Sequence, residues 1–363
     1  MVILRFLFFP FTFLFVLITE IRNFLYWRGI LKSSSFDIPV IVIGNLSVGG
    51  TGKSPMTEYL VDRLKNQHSM AVLSRGYKRK TKGYHEVGTK DSSDQCGDEP
   101  LQLKKRHPEI TVAVESNRVQ GIIQIVNNHP DTDLILLDDA YQHRALKAGM
   151  NLVLTDFKKP FFTDFVLPTG NLRELRKNIN RADAVIVTKS PSSLGNESKD
   201  LFLKSLRKYF EKPVFFSSIS YLPPIALMDS DVRNFKNKTV LLVTGIADPT
   251  PLENHLNTIA KKVVPLRFPD HHSFQPADLI KIEKAYLGLG DKEALICTTE
   301  KDSMRFLSMD IQSLELLKKL PFCVQKISVH IHEEEHFKKL IDEYLNSNAG
   351  NRSISQEQDE TKS

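Results

Sequence analysis

DIPVIVIGNLSVGGTGKSPMTEYLVDRLKN, residues 37–66, is the stretch whose reading decides the fold. DIPVIVIGNL is a short continuous apolar run and reads as a buried strand, whereas PMTEYLVDRLKN reads as a helix whose apolar stripe is Met56, Tyr59, Leu60 and Leu64. Pro55 suits the first helical turn. Between them lies a glycine loop that matches the end of the phosphate-loop pattern G-x-x-x-x-G-K-[ST] at Gly52, Lys53 and Ser54 but carries Ser47 where the first glycine belongs. Gly49, Gly50, Thr51 and Gly52 form the predicted nucleotide cradle. Its glycines let backbone N–H groups turn around phosphate oxygens, and the helix N-terminus adds partial positive charge. Lys53 can then reach the terminal phosphates and the Ser54 hydroxyl can bind Mg²⁺. An ordinary glycine-rich turn is the competing reading.

Outward from the loop, SMAVLSRGY, EITVAVES, DLILLDDA, MNLVLTDF and ADAVIVTK are further strand candidates, separated by helical or loop stretches such as RVQGIIQIVNNH. Such alternation indicates a parallel sheet covered on both faces. LILLDDAYQH places Asp138 and Asp139 at the carboxyl end of a strand, where a carboxylate can hold the magnesium of a bound nucleotide. The alternative there is a helix N-cap. Around residues 213–235, PVFFSSISYLPPIALMDSDVRNF reads as two extended segments with a Pro-Pro break that bridge two domains. A second, smaller α/β unit follows, closed by the helix EEEHFKKLIDEYLN, and the polar stretch from Ser347 reads as a disordered tail.

With 363 residues, 41% hydrophobic and 25% charged, the chain has room for two soluble domains. Its net charge of +6 is scattered, with short clusters only at Lys78-Arg79-Lys80 and Lys104-Lys105-Arg106, so no concentrated basic and aromatic face for nucleic acid is visible. Cys96, Cys297 and Cys323 are widely spaced, which indicates a reducing compartment. The N-terminus departs from this soluble pattern. VILRFLFFPFTFLFVLI, Val2 to Ile18, is interrupted only by Arg5, Pro10 and Thr12 and approaches the ~20 residues that span a bilayer. No A-x-A-like cleavage site follows, which argues against a signal peptide, and the reading as a buried core helix is disfavoured because a run this rich in Phe has no polar face to show water. Arg22, Arg28 and Lys32 after the run place the body on the cytoplasmic side, and Tyr26 and Trp27 suit the interface.

Three weaker constellations remain. CGDEP, residues 96–100, contains Asp98 and Glu99 and on its own reads as a solvated turn. FPDHHSF, residues 268–274, sets Asp270, His271 and His272 after a strand, where an imidazole beside a carboxylate can tune a base or bind metal. His330, His332 and His336 have zinc-like spacing, but beside Glu333 to Glu335 and without nearby cysteines they read as a solvated domain edge.

Taken in order, the apolar anchor, GGTGKSP, SRGYKRK, GDEP, SNRVQG, LLDDAYQH, LPTGNLRE, TGIADP, FPDHHSF and TTEKD resemble the tetraacyldisaccharide 4'-kinase family, from the N-terminus to about Asp302. The resemblance implies an ATP- and Mg²⁺-dependent enzyme at the cytoplasmic face of the bacterial inner membrane. Its lipid substrate would be a tetraacylated glucosamine disaccharide 1-phosphate, converted to lipid IVA. The implied fold is α/β, with two α/β/α sandwich domains joined by a two-stranded linker. The implied layout is an anchor at 1–32, a P-loop kinase domain at 33–212, a linker at 213–235, a smaller α/β domain at 236–346 and a tail at 347–363. Carried over residue by residue, it gives Lys53 and Ser54 to phosphate and Mg²⁺ and Asp138 and Asp139 to the metal. Asp98 becomes the general base for the 4'-hydroxyl with His271 as its partner, while Tyr77, Glu99, Arg118 and His272 line the catalytic or substrate pocket. Ala140-Tyr141 and Thr169-Gly170-Asn171 depart from the family's usual Gly-Phe and Ala-Gly-Pro.

Two other readings compete with the lipid kinase. A membrane-tethered nucleotide switch would want a guanine-reading N-K-x-D, but TEKD at 299–302 has its Lys and Asp adjacent. A nucleic-acid-dependent ATPase would want the basic face that is missing.

Overall fold

The computed structural model describes residues 8–228 and 234–360. Its strands are β1 Val40–Asn45, β2 Met70–Ser74, β3 His85–Glu86, β4 Thr111–Val114, β5 Leu134–Asp138, β6 Met150–Asp156, β7 Ala184–Thr188 and β8 Val214–Tyr221. They continue with β9 Ile225–Ala226, β10 Thr239–Thr244, β11 Lys262–Arg267, β12 Leu295–Thr299, β13 Phe322–Gln325 and β14 Ile327–Ile331.

A nine-stranded sheet runs β14-β8-β7-β6-β1-β5-β2-β4-β3, parallel from β8 to β4 with antiparallel strands at both edges. Side chains alternate between its faces. Ile41, Ile43, Leu134 and Leu136 enter one core with Met56 and Leu60 of the helix Lys53–Leu64, while Val40, Val42, Ile135 and Leu137 enter the other with Ile122 and Ile125 of the helix Arg118–Asn128. The apolar runs of the sequence are thus buried on both faces, as a three-layer sandwich requires. The chain leaves β1 toward β2 on one side and passes from β5 to β6 on the other, so the adjacent carboxyl ends of β1 and β5 open on the ligand crevice.

The second sheet runs β11-β10-β12-β13-β9 around Leu241, Val243, Ile296, Phe306 and Phe322. The two-stranded link differs from the one expected inside 213–235. β8 first pairs parallel with β7, and from Ser217 to Tyr221 it pairs antiparallel with Ile327–Ile331. The second segment of the expected linker, Ile225–Ala226, instead joins β13 in the smaller sheet, and 229–233 of that linker lie outside the described residues. The stretch FCVQKISVHI divides at Lys326 and serves both sheets. The last helix, Glu334–Glu360, returns to the larger domain. Phe337, Ile341 and Leu345 enter its core, and the Tyr344 hydroxyl donates to the Val40 carbonyl at 3.2 Å and accepts from its N–H at 3.0 Å. The helix also continues past Ser347, where a tail without structure was expected; the added stretch has no proline to stop it.

Residues 1–7 of the expected anchor lie outside the described residues, and the helix Phe9–Trp27 is long and apolar enough to cross a membrane. It lies along the larger domain and does not project freely. Thr12 and Thr169 share a hydroxyl hydrogen bond of 2.7 Å, Asn178 Nδ2 donates to Glu20 at 2.9 Å, and Asn23 Nδ2 donates to Glu174 at 3.3 Å. Phe15 and Val16 pack on the core, while Phe11, Phe13, Leu14, Ile18 and Trp27 are exposed.

Candidate active site

The loop after β1 takes the shape that a phosphate cradle needs. Gly49 and Gly52 have φ of +103° and +85°, a region that favours glycine, and a Cβ added at Gly49 or Gly50 would meet open space. Ser47 is absent from the positive-φ residues and instead forms a bridge with Leu172, so the first position of the pattern needs no glycine here. The loop is pinned from behind. Asn45 Nδ2 donates to the Thr51 hydroxyl at 2.7 Å, Thr188 Oγ1 donates to the Thr51 carbonyl at 2.8 Å, and Lys189 Nζ donates to the Gly50 carbonyl at 2.6 Å. Lys53 and Ser54 then open the helix Lys53–Leu64, at its electropositive end.

Beside this loop, β5 ends in Asp138, which is 6% exposed and lines one small cavity with Ser54, Thr57 and Glu99. Burial, reinforced by the charges of Glu99 and Asp139, pushes its carboxyl up to about 7. Asp139 follows in the left-handed region (φ 51°) and turns to Arg173, which grips both its oxygens at 2.6 and 3.1 Å, with Lys53 at 3.6 Å. Asp139 was expected at the metal, but its carboxylate is committed to these cations. The Ser54 hydroxyl and the Asp138 carboxylate, whose Oδ1 accepts from the Thr57 hydroxyl at 3.5 Å, line one cavity and are hard-oxygen donors of the kind that fit Mg²⁺ held jointly with nucleotide phosphates. Arg118 was expected in the substrate pocket. It is 2% exposed and points inward, donating to the Glu115 carbonyl at 2.7 Å and the Asp138 carbonyl at 3.2 Å, so it braces the end of β5.

The GDEP segment is not irregular. Gly97, at φ 94°, starts the helix Asp98–Arg106, whose first turn holds Asp98 and Glu99. This helix lies against Glu300–Phe306 of the smaller domain, the helix that begins within TTEKD. Arg305 Nε and Nη2 donate to Asp98 Oδ2 at 2.8 and 2.6 Å, Lys301 Nζ donates to Glu99 at 2.8 Å, and Arg106 reaches Glu300 at 3.3 Å. His271, in the left-handed region at φ 57°, brings Nδ1 within 3.3 Å of the same Asp98 oxygen, and Tyr77 meets its ring edge-on at 5.4 Å. Burial would raise Asp98, but the hydrogen bonds of His271 and Arg305 outweigh it and hold the carboxyl below the usual range. Glu99 follows the same logic: burial is opposed by Lys301, Lys53 and a hydrogen bond with Ser54. Glu99 and Ser54 line the same cavity, so the P-loop and the Asp98–His271 pair border on one another. His272 faces away, pairing with Asp278 at 2.8 Å and stacking on Phe268. Of the two adjacent histidines, only His271 meets Asp98.

The family model for tetraacyldisaccharide-1-P 4'-kinase matches residues 4–346. The chain belongs to the tetraacyldisaccharide 4'-kinase family. It is 42% identical over 348 residues to the tetraacyldisaccharide 4'-kinase of Flavobacterium johnsoniae, covering 95% of this chain and 98% of that one. To the same-named protein of Bacteroides thetaiotaomicron it is 38% identical over 361 residues, 96% of this chain and 95% of that one. A crystal structure of LpxK from Aquifex aeolicus in complex with ATP superposes with a TM-score of 0.74 at 30% identity, over 94% of this chain and 99% of that chain.

For this member of the tetraacyldisaccharide 4'-kinase family, sequence reasoning assigned no role to Arg173, Lys301, Arg305 or Lys189. Arg173 and Lys301 lay in quoted motifs, LPTGNLRE and TTEKD, but nothing local says which carboxylate a cation will meet across the fold. TEKD, which lacks a guanine reader's spacing, spends Lys301 on Glu99 and Asp302 on Arg305. His330 and His332 have ring centres 6.0 Å apart, and among the described residues no group of three or more His, Cys, Asp or Glu is placed to hold a metal.

Because the Asp138 carboxyl is raised in the folded state, its ionisation opposes folding as pH rises from its ordinary value toward 7. Asp138→Asn should therefore raise stability at pH 8, on the order of 1–2 kcal/mol, and raise it less at pH 5. Thermal unfolding at the two pH values checks this, and a variant no more stable than the parent at pH 8 contradicts it.

Proposed function

We propose that this protein is an ATP-dependent kinase that transfers the γ-phosphate to the 4'-hydroxyl of a tetraacylated glucosamine disaccharide 1-phosphate, forming lipid IVA in lipid A biosynthesis. The observation that carries the reading is the meeting of Asp98 and His271 across two domains, beside the P-loop where Glu99 and Ser54 line one cavity. A nucleotide switch needs the loop but has no use for an imidazole brought from a second domain to a carboxylate beside that loop.

In this reading the P-loop N–H groups and Lys53 bind and orient the terminal phosphates. Ser54 and Asp138 would hold Mg²⁺, which would supply charge neutralisation to the nucleotide phosphates. Asp98 accepts the proton of the 4'-hydroxyl as that oxygen bonds to the γ-phosphorus and the bond to the β-phosphate oxygen breaks, releasing ADP. Its low basicity suits a loose transition state, in which the proton leaves late. His271 shares Oδ2 and keeps the carboxylate turned to the cleft. Tyr77, 64% exposed beside His271, borders the acceptor side.

The substrate's acyl chains require a lipid surface. The exposed apolar side of Phe9–Trp27 supports one, because an apolar face this large is costly in water, and Arg22, Arg28 and Lys32 favour the cytoplasmic leaflet of the inner membrane. The contacts of Thr12, Glu20 and Asn23 with the body hold the active site at a fixed height above that surface.

Two measurements test this function. Full-length protein in detergent, given labelled ATP, Mg²⁺ and the acylated disaccharide 1-phosphate, should move label into the lipid, and Lys53→Ala should reduce the rate at least about 100-fold. No label in the lipid, or transfer undiminished in the variant, sinks the assignment. Second, Phe13→Glu with Leu17→Glu should weaken flotation with anionic vesicles about 10-fold or more while leaving affinity for a non-hydrolysable ATP analogue unchanged. Equal flotation would remove the helix from the membrane contact.

A further inference from the structure

The helix Glu300–Phe306 contributes a guanidinium whose donors are directed into the site. Arg305 is 6% exposed. Its Nη1 donates to Asp302 Oδ1 at 2.7 Å and to the Gly245 carbonyl at 2.9 Å, while Nε and Nη2 both donate to Asp98 Oδ2. Asp302 is itself completely buried and fixed by the Gly245 N–H at 3.0 Å and the Thr299 hydroxyl at 2.8 Å. The Gly245 carbonyl also accepts the His271 N–H at 3.0 Å. One small-domain bracket therefore orients both partners of Asp98.

Chemically, the arrangement divides the two oxygens of Asp98. Arg305 and His271 converge on Oδ2, whereas Oδ1 accepts no hydrogen bond among the described residues. A carboxylate held by one oxygen presents the other at a fixed angle, as a base that must meet one hydroxyl requires. The geometry points to Arg305 as the positioning residue of the phosphoryl transfer: from the smaller domain it holds Asp98 by Oδ2 so that Oδ1 faces the acceptor hydroxyl. This rests on the reading of Asp98 as the base. A planar two-donor grip is the particular capability of Arg; a Lys at this place keeps the charge and loses the fork.

The charged and titratable groups around Asp98 set the test. His271 faces it from the loop after β11, Arg305 and Lys301 from the helix Glu300–Phe306, Glu99 stands next to it, and the Cys96 thiol ends the short helix before it. Removing the guanidinium leaves burial less opposed, so the Asp98 carboxyl must rise.

Full-length Arg305→Gln and Arg305→Lys are compared with the parent in the lipid-transfer assay across pH, and Asp98 is titrated by carboxyl-carbon NMR in the ligand-free proteins. Arg305→Gln should lose about 10- to 100-fold in kcat with the KM for ATP changed less than about twofold. Its acid limb and the Asp98 titration should both move to higher pH, and Arg305→Lys should restore part of the rate and return the limb toward the parent's. An unchanged kcat overturns the proposal, as does a loss of rate with the acid limb unmoved, which would mark a purely structural role. Should Arg305→Gln fail to fold, Arg305→Lys decides alone: a lowered kcat at constant KM for ATP supports the proposal and a parental rate overturns it. Should the parent transfer nothing to the lipid, the kinase reading fails, while the NMR titration still decides whether Arg305 holds Asp98.

Discussion

The ion-paired seam between the helices Asp98–Arg106 and Glu300–Phe306 is the constraint on which the site depends. Each sheet has its own core, but neither domain alone surrounds Asp98 with His271 and Arg305. Half-buried charges of this kind add little net stability compared with apolar packing, yet removing one partner costs about 3–5 kcal/mol because the other is left unpaired. The seam therefore specifies how the domains meet more than it strengthens either of them.

The two halves contribute by different physics. In the larger domain, parallel pairing puts the ends of β1 and β5 side by side, so the phosphate loop and Asp138 are neighbours by topology. Asp138 is held there at a cost, since its buried charge is offset only in part by Lys53 and Arg118. A cation or a proton would relieve it. In the smaller domain, the loop after β11 and the helix after β12 carry His271 and Arg305, again at the carboxyl ends of strands. The chain crosses between the sheets after Tyr221 and again at Lys326, and the paired strands β8 and β14 form the bridge. The larger domain's phosphate cradle and Asp98 thus lie on one side of that bridge, and the His271 and Arg305 that meet Asp98 come from the other.

Much of this was legible in the residues, for identifiable reasons. Continuous apolar runs such as Val40–Ile43 and Leu134–Leu137 have only one use at that length, so the sheet and its loop could be read directly. The link could not. Ile225–Ala226 and Ile327–Ile331 are both short extended segments, and which of them pairs with β8 is a long-range matter that no local pattern encodes. The site divides similarly. Lys53 and Ser54 follow from a local loop, and Asp98 and His271 entered through family resemblance. The partners of Arg118 and Asp139 could not be read locally, because burial and the reach of Arg173 are properties of the folded chain. His271 and His272 are indistinguishable in sequence; the left-handed backbone of His271 sends the two rings to different partners, Asp98 and Asp278.

In the proposed reaction Asp98 acts on the acceptor and not on the nucleotide. Single-turnover transfer from labelled ATP to the acylated disaccharide 1-phosphate by Asp98→Asn, measured alongside ATP binding, tests this most directly. The account predicts a rate lower by about 10²- to 10⁴-fold with ATP affinity within about twofold of the parent's. Transfer at the parental rate, or a loss explained by weakened ATP binding, would contradict it.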